Sequence, residues 1–173
     1  WMMLFHNDKN ILCIATSKDT AKNLVTKVRI MYEGLPNWLK TAIVENNKLS
    51  LIFKNGSQIK AIASNESAGR SEALSLLILD EAAFIDKIEP IWAAASQTLS
   101  TGEQCIALST PNGIGNWFHK TWVGAEDGSN DWNFIKLHWN LHPERNDEWR
   151  AEQDKLLGPS LAAQECDCDF LTS

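Results

Sequence analysis

Asp80 and Glu81 stand side by side immediately after the apolar run Leu76-Leu77-Ile78-Leu79. An apolar run this short is too brief for an independent helix and suits a parallel strand buried on both faces, whose carboxyl end opens on a crevice. Two carboxylates delivered there can divide the work of phosphoanhydride hydrolysis. The first would hold Mg²⁺ through its water shell, and the second, aimed past the metal, would orient or deprotonate the water that attacks a terminal phosphate. This is the Walker B pattern, with Asp80 in the metal role and Glu81 in the catalytic one. A core strand followed by an acidic helix cap would read the same over these residues, so the surrounding elements must decide.

Upstream, the run 10–16 (Asn-Ile-Leu-Cys-Ile-Ala-Thr) is a second buried strand. Ser17 can cap the next helix, whose Ala21, Leu24, Val25, Val28 and Met31 recur on one face until Gly34 and Pro36 stop it. Leu49, Leu51 and Phe53 alternate, Asn55-Gly56 suits a type I′ turn, and residues 58–63 return, which predicts an antiparallel hairpin. Residues 64–75 form a polar stretch with Gly69-Arg70 at its middle. Running into the strand that ends at the acids, it makes Arg70 a candidate to reach a bound phosphate in its own subunit or a neighbour; a solvated loop arginine is the plainer alternative.

Downstream, Ile91, Trp92, Ala95 and Leu99 predict a helix over 88–99, and residues 104–108 predict another short buried strand. That strand leads directly into Ser109-Thr110-Pro111-Asn112-Gly113. Small hydroxyl and amide side chains at a strand's end are suited to sensing a phosphate, although a plain Pro-Asn-Gly turn is open on these residues alone. Asn116 can cap a helix over 117–123, residues 134–139 read as a strand, and a charged helix over 147–157 ends at Gly158-Pro159. Ser160 can cap a last short helix before 166–170.

At 173 residues and 44% hydrophobic, the chain can bury a real core as one domain. A net charge of −6 argues against a free-standing nucleic-acid binder, because phosphate neutralisation needs a concentrated basic surface. Any such contact must come from a local patch or an oligomer. Cys13 and Cys105 lie in apolar runs, and Cys166 and Cys168 alternate as strand residues do, which suits core thiols in a reducing cytosol rather than a metal set. His119, His138 and His142 fall on different elements without paired cysteines, so they read as surface or strand histidines. Of the eight tryptophans, Trp92, Trp132 and Trp139 fit packing better than ligand or DNA stacking. No apolar stretch approaches the length of a membrane span.

The combination is more specific than its parts. "LLILDEAAFI" over 76–85, a helix, and then "ALSTPNGIGNWFHKTW" over 107–122 resemble the ATPase domain of phage large terminase subunits, the motors that package DNA. The likeness extends to "YEGLPNWL" at 32–39, "NGSQIKAIAS" at 55–64, Gly69-Arg70, and "CDFLTS" at 168–173.

The resemblance implies an α/β, three-layer P-loop fold of the additional-strand, RecA-like kind. It would have a mainly parallel central sheet, a hairpin insertion and a small C-terminal lid or linker. The expected division is a partial ATPase core over 1–125 and a lid or linker over 126–173. ATP and Mg²⁺ are the implied cofactors. Asp80 becomes the Mg²⁺ ligand through water, Glu81 the catalytic carboxylate, and Arg70 a trans-acting finger. Ser109, Thr110 and Asn112 become the nucleotide-sensing motif that couples hydrolysis to movement. The implied partners are double-stranded DNA, a portal protein, a small terminase subunit and further copies in a ring on the capsid. The implied location is the host cytoplasm, without a membrane.

Two departures qualify the likeness. No G-x-x-x-x-G-K-[ST] occurs in the sequence, and no second cluster of acids of the kind a nuclease domain would carry follows. Both are expected outside these residues, with 1–6 as the tail of a helix that follows the phosphate loop. The fragment alone is then expected to bind ATP weakly or not at all. The runner-up is a superfamily 2 helicase, whose Asp-Glu-Ala-x box resembles residues 80–83 and whose coupling triplet resembles Ser109-Thr110-Pro111 less well.

Overall fold

The computed structural model describes residues 1–64 and 73–171, and of 100–103 the backbone alone. The chain divides into two compact units, Trp1–Leu108 and Ser109–Ser173.

The first unit is a six-stranded sheet with the order β2-β3-β4-β1-β5-β6. Its strands are β1 (Asn10–Ala15), β2 (Ile43–Asn46), β3 (Ser50–Phe53), β4 (Gln58–Ala63), β5 (Leu74–Asp80) and β6 (Leu99–Leu108). β4, β1, β5 and β6 run parallel, while β2 and β3 add antiparallel at one edge. β1 sits between two parallel neighbours, which is why its apolar run is buried almost throughout. The helices of this unit are α1 (Met2–Phe5), α2 (Lys18–Glu33) and α3 (Ile88–Ser96).

α2 starts as its sequence predicts, with the Ser17 hydroxyl accepting from the Thr20 N–H at 3.1 Å. Ala21 and Val25 are buried, and Leu24 and Val28 pack against the core. The last member of the expected stripe differs: Met31 is 70% exposed. Tyr32 takes its place, with its ring 5.0 Å from Phe53 and its hydroxyl donating to the Thr41 carbonyl at 2.7 Å.

The predicted hairpin is present as β3 and β4, but its turn is not type I′. That type needs positive φ at both central residues, and here Gly56 alone has it, at 81°. The Gly56 N–H donates to the Phe53 carbonyl and the Phe53 N–H to the Ser57 carbonyl, closing a three-residue loop with glycine in the left-handed position. Asn55 is held by tertiary contacts instead. Its amide donates to the Met3 and His6 carbonyls at 2.8 and 3.1 Å, and its carbonyl oxygen accepts from the Ser57 N–H at 3.1 Å. β2 escapes sequence reading because its residues are mostly exposed and show no alternation.

β5 begins at Leu74, so Ser75 belongs to the strand rather than to the polar loop; it is buried and its hydroxyl accepts from the Asn10 N–H at 3.2 Å. α3 stops at Ser96, earlier than its apolar stripe suggests, and Leu99 opens β6 instead of closing the helix. The Thr98 hydroxyl caps the helix end by donating to the Ala95 carbonyl at 2.8 Å.

The second unit contains α4 (Trp117–Glu126), α5 (Asp147–Leu157) and α6 (Pro159–Ala162), followed by a π-helical turn, Ala163–Asp167. Its core is aromatic: Trp117 meets Trp132 edge-on at 6.0 Å, Trp122 meets Phe134 at 5.4 Å, and Phe118 lies 6.1 Å from Phe170. Trp139 packs 6.0 Å from Trp149. The strand expected over 134–139 is not formed. Every described strand lies in the first unit, and extended chain without a ladder partner is not a strand. Nor do the C-terminal cysteines alternate in a strand: Cys166 is buried in the π turn, and Cys168 ends it in the left-handed conformation. Ser160 lies inside α6 and makes no cap there, since Gly158 and Pro159 already set the helix start.

An ion-pair clamp ties α5 to the π turn. Arg150 donates from Nε and Nη2 to the two carboxylate oxygens of Asp167 at 2.9 and 2.7 Å, and from Nη1 to Asp154 at 2.6 Å. The Arg150 hydrogen bonds hold the Asp167 carboxyl below its usual pKa, against the opposing effect of burial. A depressed folded-state pKa contributes stability that is present above the unfolded value and is lost as pH falls through the folded one. Asp167→Asn is therefore expected to unfold more easily than wild type near neutral pH, with the gap closing in acid below the ordinary carboxylate range. Urea midpoints measured across pH check this, and a gap independent of pH would contradict it.

Candidate active site

Asp80 is the last residue of β5, half-buried at the carboxyl end of a strand flanked by two parallel neighbours. Leu79 before it and Ala82 after it are buried, so the acids are held between two fixed points. Glu81 adopts φ 55° and ψ 49°, the left-handed conformation. For a residue with a Cβ this costs about 1–2 kcal/mol and persists only where the surroundings enforce it. Here the enforcing element is the 3₁₀ turn Ala82–Phe84, in which the Phe84 N–H returns to the Glu81 carbonyl at 2.9 Å. Successive strand residues point to opposite faces. A left-handed Glu81 breaks that alternation, so the second carboxylate is freed from the strand's period. Nothing in the sequence signals this, because glutamate has no preference for the left-handed region.

Cys13 on β1 pairs in register with Ile78 and senses the acid nearby. Burial, reinforced by the Asp80 carboxylate, pushes its thiol up to about 12, so it is neutral and unreactive at physiological pH. Burial alone likewise pushes Cys105 up to about 12.

The Asp80 position suits a hard cation. Among the described residues, no hydrogen bond or ion pair engages its carboxylate, and no cluster of three His, Cys, Asp or Glu side chains is present. A partly exposed carboxylate at the carboxyl end of a parallel strand is a donor that could hold Mg²⁺ through water.

Ser109, Thr110 and Asn112 belong to the second unit and follow directly on Leu108, the register partner of Asp80. Their loop is more elaborate than a plain turn. Pro111 is buried, and a residue preceding proline is confined to extended backbone, which fixes Thr110. The Thr110 hydroxyl lies 3.4 Å from a Glu165 carboxylate oxygen. The Asn116 amide donates to the carbonyls of Asn112 and Gly113 at 2.7 and 3.3 Å, while its oxygen accepts from the His119 N–H at 2.9 Å and so caps α4. The cap role of Asn116 is legible in the sequence; its grip on the loop is not.

Arg70 lies outside the described residues. Each of the three histidines in the second unit accepts a backbone N–H at Nδ1: His119 from Gly115, His138 from Asn140 and His142 from Glu144. His138 also lies 3.7 Å from the Asp167 carboxylate, and the His119 ring meets Phe170 edge-on at 5.1 Å.

A family model described as the N-terminal part of the T4likevirus-type terminase large subunit matches residues 1–172. Among solved structures, the large terminase ATPase domain of Thermus phage P74-26 is 24% identical with a TM-score of 0.67, over 98% of this chain and 80% of that one. The large terminase of a thermophilic bacteriophage, solved in complex with ADP, is 12% identical with a TM-score of 0.72, over 99% of this chain and 42% of that one. The large terminase of bacteriophage HK97 is 17% identical with a TM-score of 0.63, over 96% and 40%. At these identities the structures establish the fold alone, mixed α/β with a mostly parallel sheet, while the family model covers nearly the whole sequence. The chain belongs to the family of T4likevirus-type large terminase subunits, within its N-terminal region.

Proposed function

We propose that this chain is part of an ATP-driven motor that moves double-stranded viral DNA into a capsid. The observation that carries the reading is the end of β5, where Asp80 closes a buried parallel strand and Glu81 is held left-handed immediately after it. The family membership favours it over a helicase, and the thermophilic-phage terminase solved with ADP supports a nucleotide ligand. Residues 1–125 would form the ATPase core present here, and 126–173 a lid or linker.

Mg²⁺, when bound, would supply positive charge to the β- and γ-phosphate oxygens of ATP. Asp80 would hold it through water. Glu81 would orient the attacking water and accept its proton. Ser109, Thr110 and Asn112 would face the terminal phosphate and report its loss through the loop that Asn116 anchors to α4. Arg70 would stabilise the charge that develops on the transferred phosphate, supplied by a neighbouring copy in a ring. The partners would be DNA, a portal protein and a small terminase subunit, in the cytoplasm of an infected host cell.

The test is ATP-dependent protection of double-stranded DNA inside capsids by the full-length protein with its portal. Protection that requires ATP is expected, and ATP-independent protection would overturn the reading. Arg70→Ala should lose activity, and mixing it with Glu81→Gln subunits should restore part of it, because each variant keeps the group the other lacks. Absence of any restoration would move Arg70 to its own subunit's site.

A further inference from the structure

The loop over 109–113 has anchors on its own helix and on a segment far along the chain. Asn116 fastens the loop's far end to α4. Its near end meets Glu165, which is 55 residues further along the chain. Glu165 stands on the π-helical turn Ala163–Asp167, a rare geometry that concentrates at functional sites. The turn itself is rigidly held: Cys166 is buried beside Glu165, and Asp167 is gripped by both arms of the Arg150 guanidinium. Thr110 is just as constrained, because the buried Pro111 fixes its backbone. The loop and the π turn meet at a hydroxyl–carboxylate contact of 3.4 Å, long for such a bond and open to tightening or release.

We propose that Glu165 is a positioning residue for the coupling loop. Its carboxylate accepts a hydrogen bond from the Thr110 hydroxyl and holds that side chain in place while no terminal phosphate is present. When Thr110 turns its hydroxyl toward a phosphate, the bond to Glu165 is given up, and the π turn, α5 and the chain beyond them are released. The proposal rests on the reading of residues 109–112 as the nucleotide-sensing motif. Glu165 touches no substrate and acts only through Thr110.

The experiment is a double-mutant cycle in the full-length protein, reading ATP hydrolysis. Glu165→Ala is expected to lower kcat about fivefold and leave KM for ATP within about twofold, a loss in the chemical step without a loss of ground-state binding. Thr110→Val should fall at least as far, because it also removes the hydroxyl that faces the phosphate, and the double variant should be no worse than Thr110→Val, since the Glu165 bond is already lost there. Glu165→Gln, which can still accept that hydrogen bond, should recover most of the rate. Glu165 is exposed, and matching melting temperatures confirm that the fold is retained. Losses that multiply in the double variant, wild-type kcat in Glu165→Ala, or equal losses in Glu165→Gln and Glu165→Ala would each overturn the inference while leaving the ATPase reading intact. A wild-type protein without any ATP hydrolysis would overturn both.

Discussion

Glu81→Gln in the full-length protein is expected to lower ATP turnover by about 10²–10⁴-fold, the range that removal of a general base produces. Nucleotide affinity should change little. Gln matches Glu in size, its left-handed backbone cost at φ 55° is the same, and the buried Leu79 and Ala82 that hold the turn are untouched. Asp80, to which the proposal gives the metal role, keeps its charge. What disappears, on the proposed mechanism, is the carboxylate that would take a proton from the attacking water. Fluorescent nucleotide titration and phosphate release, measured on the same preparation, separate the two effects. Normal turnover would remove Glu81 from the mechanism, and loss of binding with turnover would assign it to the nucleotide pocket instead.

Leu79→Ala is the second large effect. Leu79 is 0% exposed and pairs in register with Ile14 on β1 and Ala107 on β6, next to the carboxyl ends of three parallel strands. Truncating a leucine in such a place removes buried methyl groups and leaves a cavity that a rigid sheet cannot close, a loss of about 2–5 kcal/mol. Net stabilities of whole domains are about 5–15 kcal/mol, so much of the folded margin would go. The same change loosens the residue from which Asp80 and Glu81 project, and activity below the melting transition should fall as well. Urea unfolding checks the first effect. A shift smaller than about 1 kcal/mol would show that the strand end is less tightly packed than its burial indicates.

The central parallel strands were legible because they leave uninterrupted apolar runs, as at 11–15 and 76–79; β6, expected as a buried strand over 104–108, instead forms the sheet edge, where Ile106 and Leu108 are 47% and 45% exposed. Helix starts were legible where a side chain caps the helix locally, as Ser17 and Asn116 do. Features decided by distant contacts were not. The turn at Asn55-Gly56 has the residues of a type I′ turn, yet Asn55 is committed to Met3 and His6 nearly fifty residues upstream. The alternating segment 134–139 has the pattern of a strand and no ladder partner among the described residues. Cys166 and Cys168 have that pattern too, and the Arg150 grip on Asp167 accompanies a π turn instead. At the candidate site, the position of the two acids at the end of β5 could be read from their place after the apolar run. The left-handed backbone of Glu81 and the contact between Thr110 and Glu165 could not, since the first depends on the packing of Ala82 and the second on chain that lies far away in sequence.

The assignment of Asp80 and Glu81 to metal and catalysis is tested most directly by titrating Mg²⁺ against ATP turnover in the full-length protein and in Asp80→Asn. Removing one anionic ligand should raise the Mg²⁺ concentration for half-maximal turnover by about tenfold, the equivalent of about 1.4 kcal/mol of lost metal binding. The same Mg²⁺ dependence at normal turnover in Asp80→Asn would contradict the account.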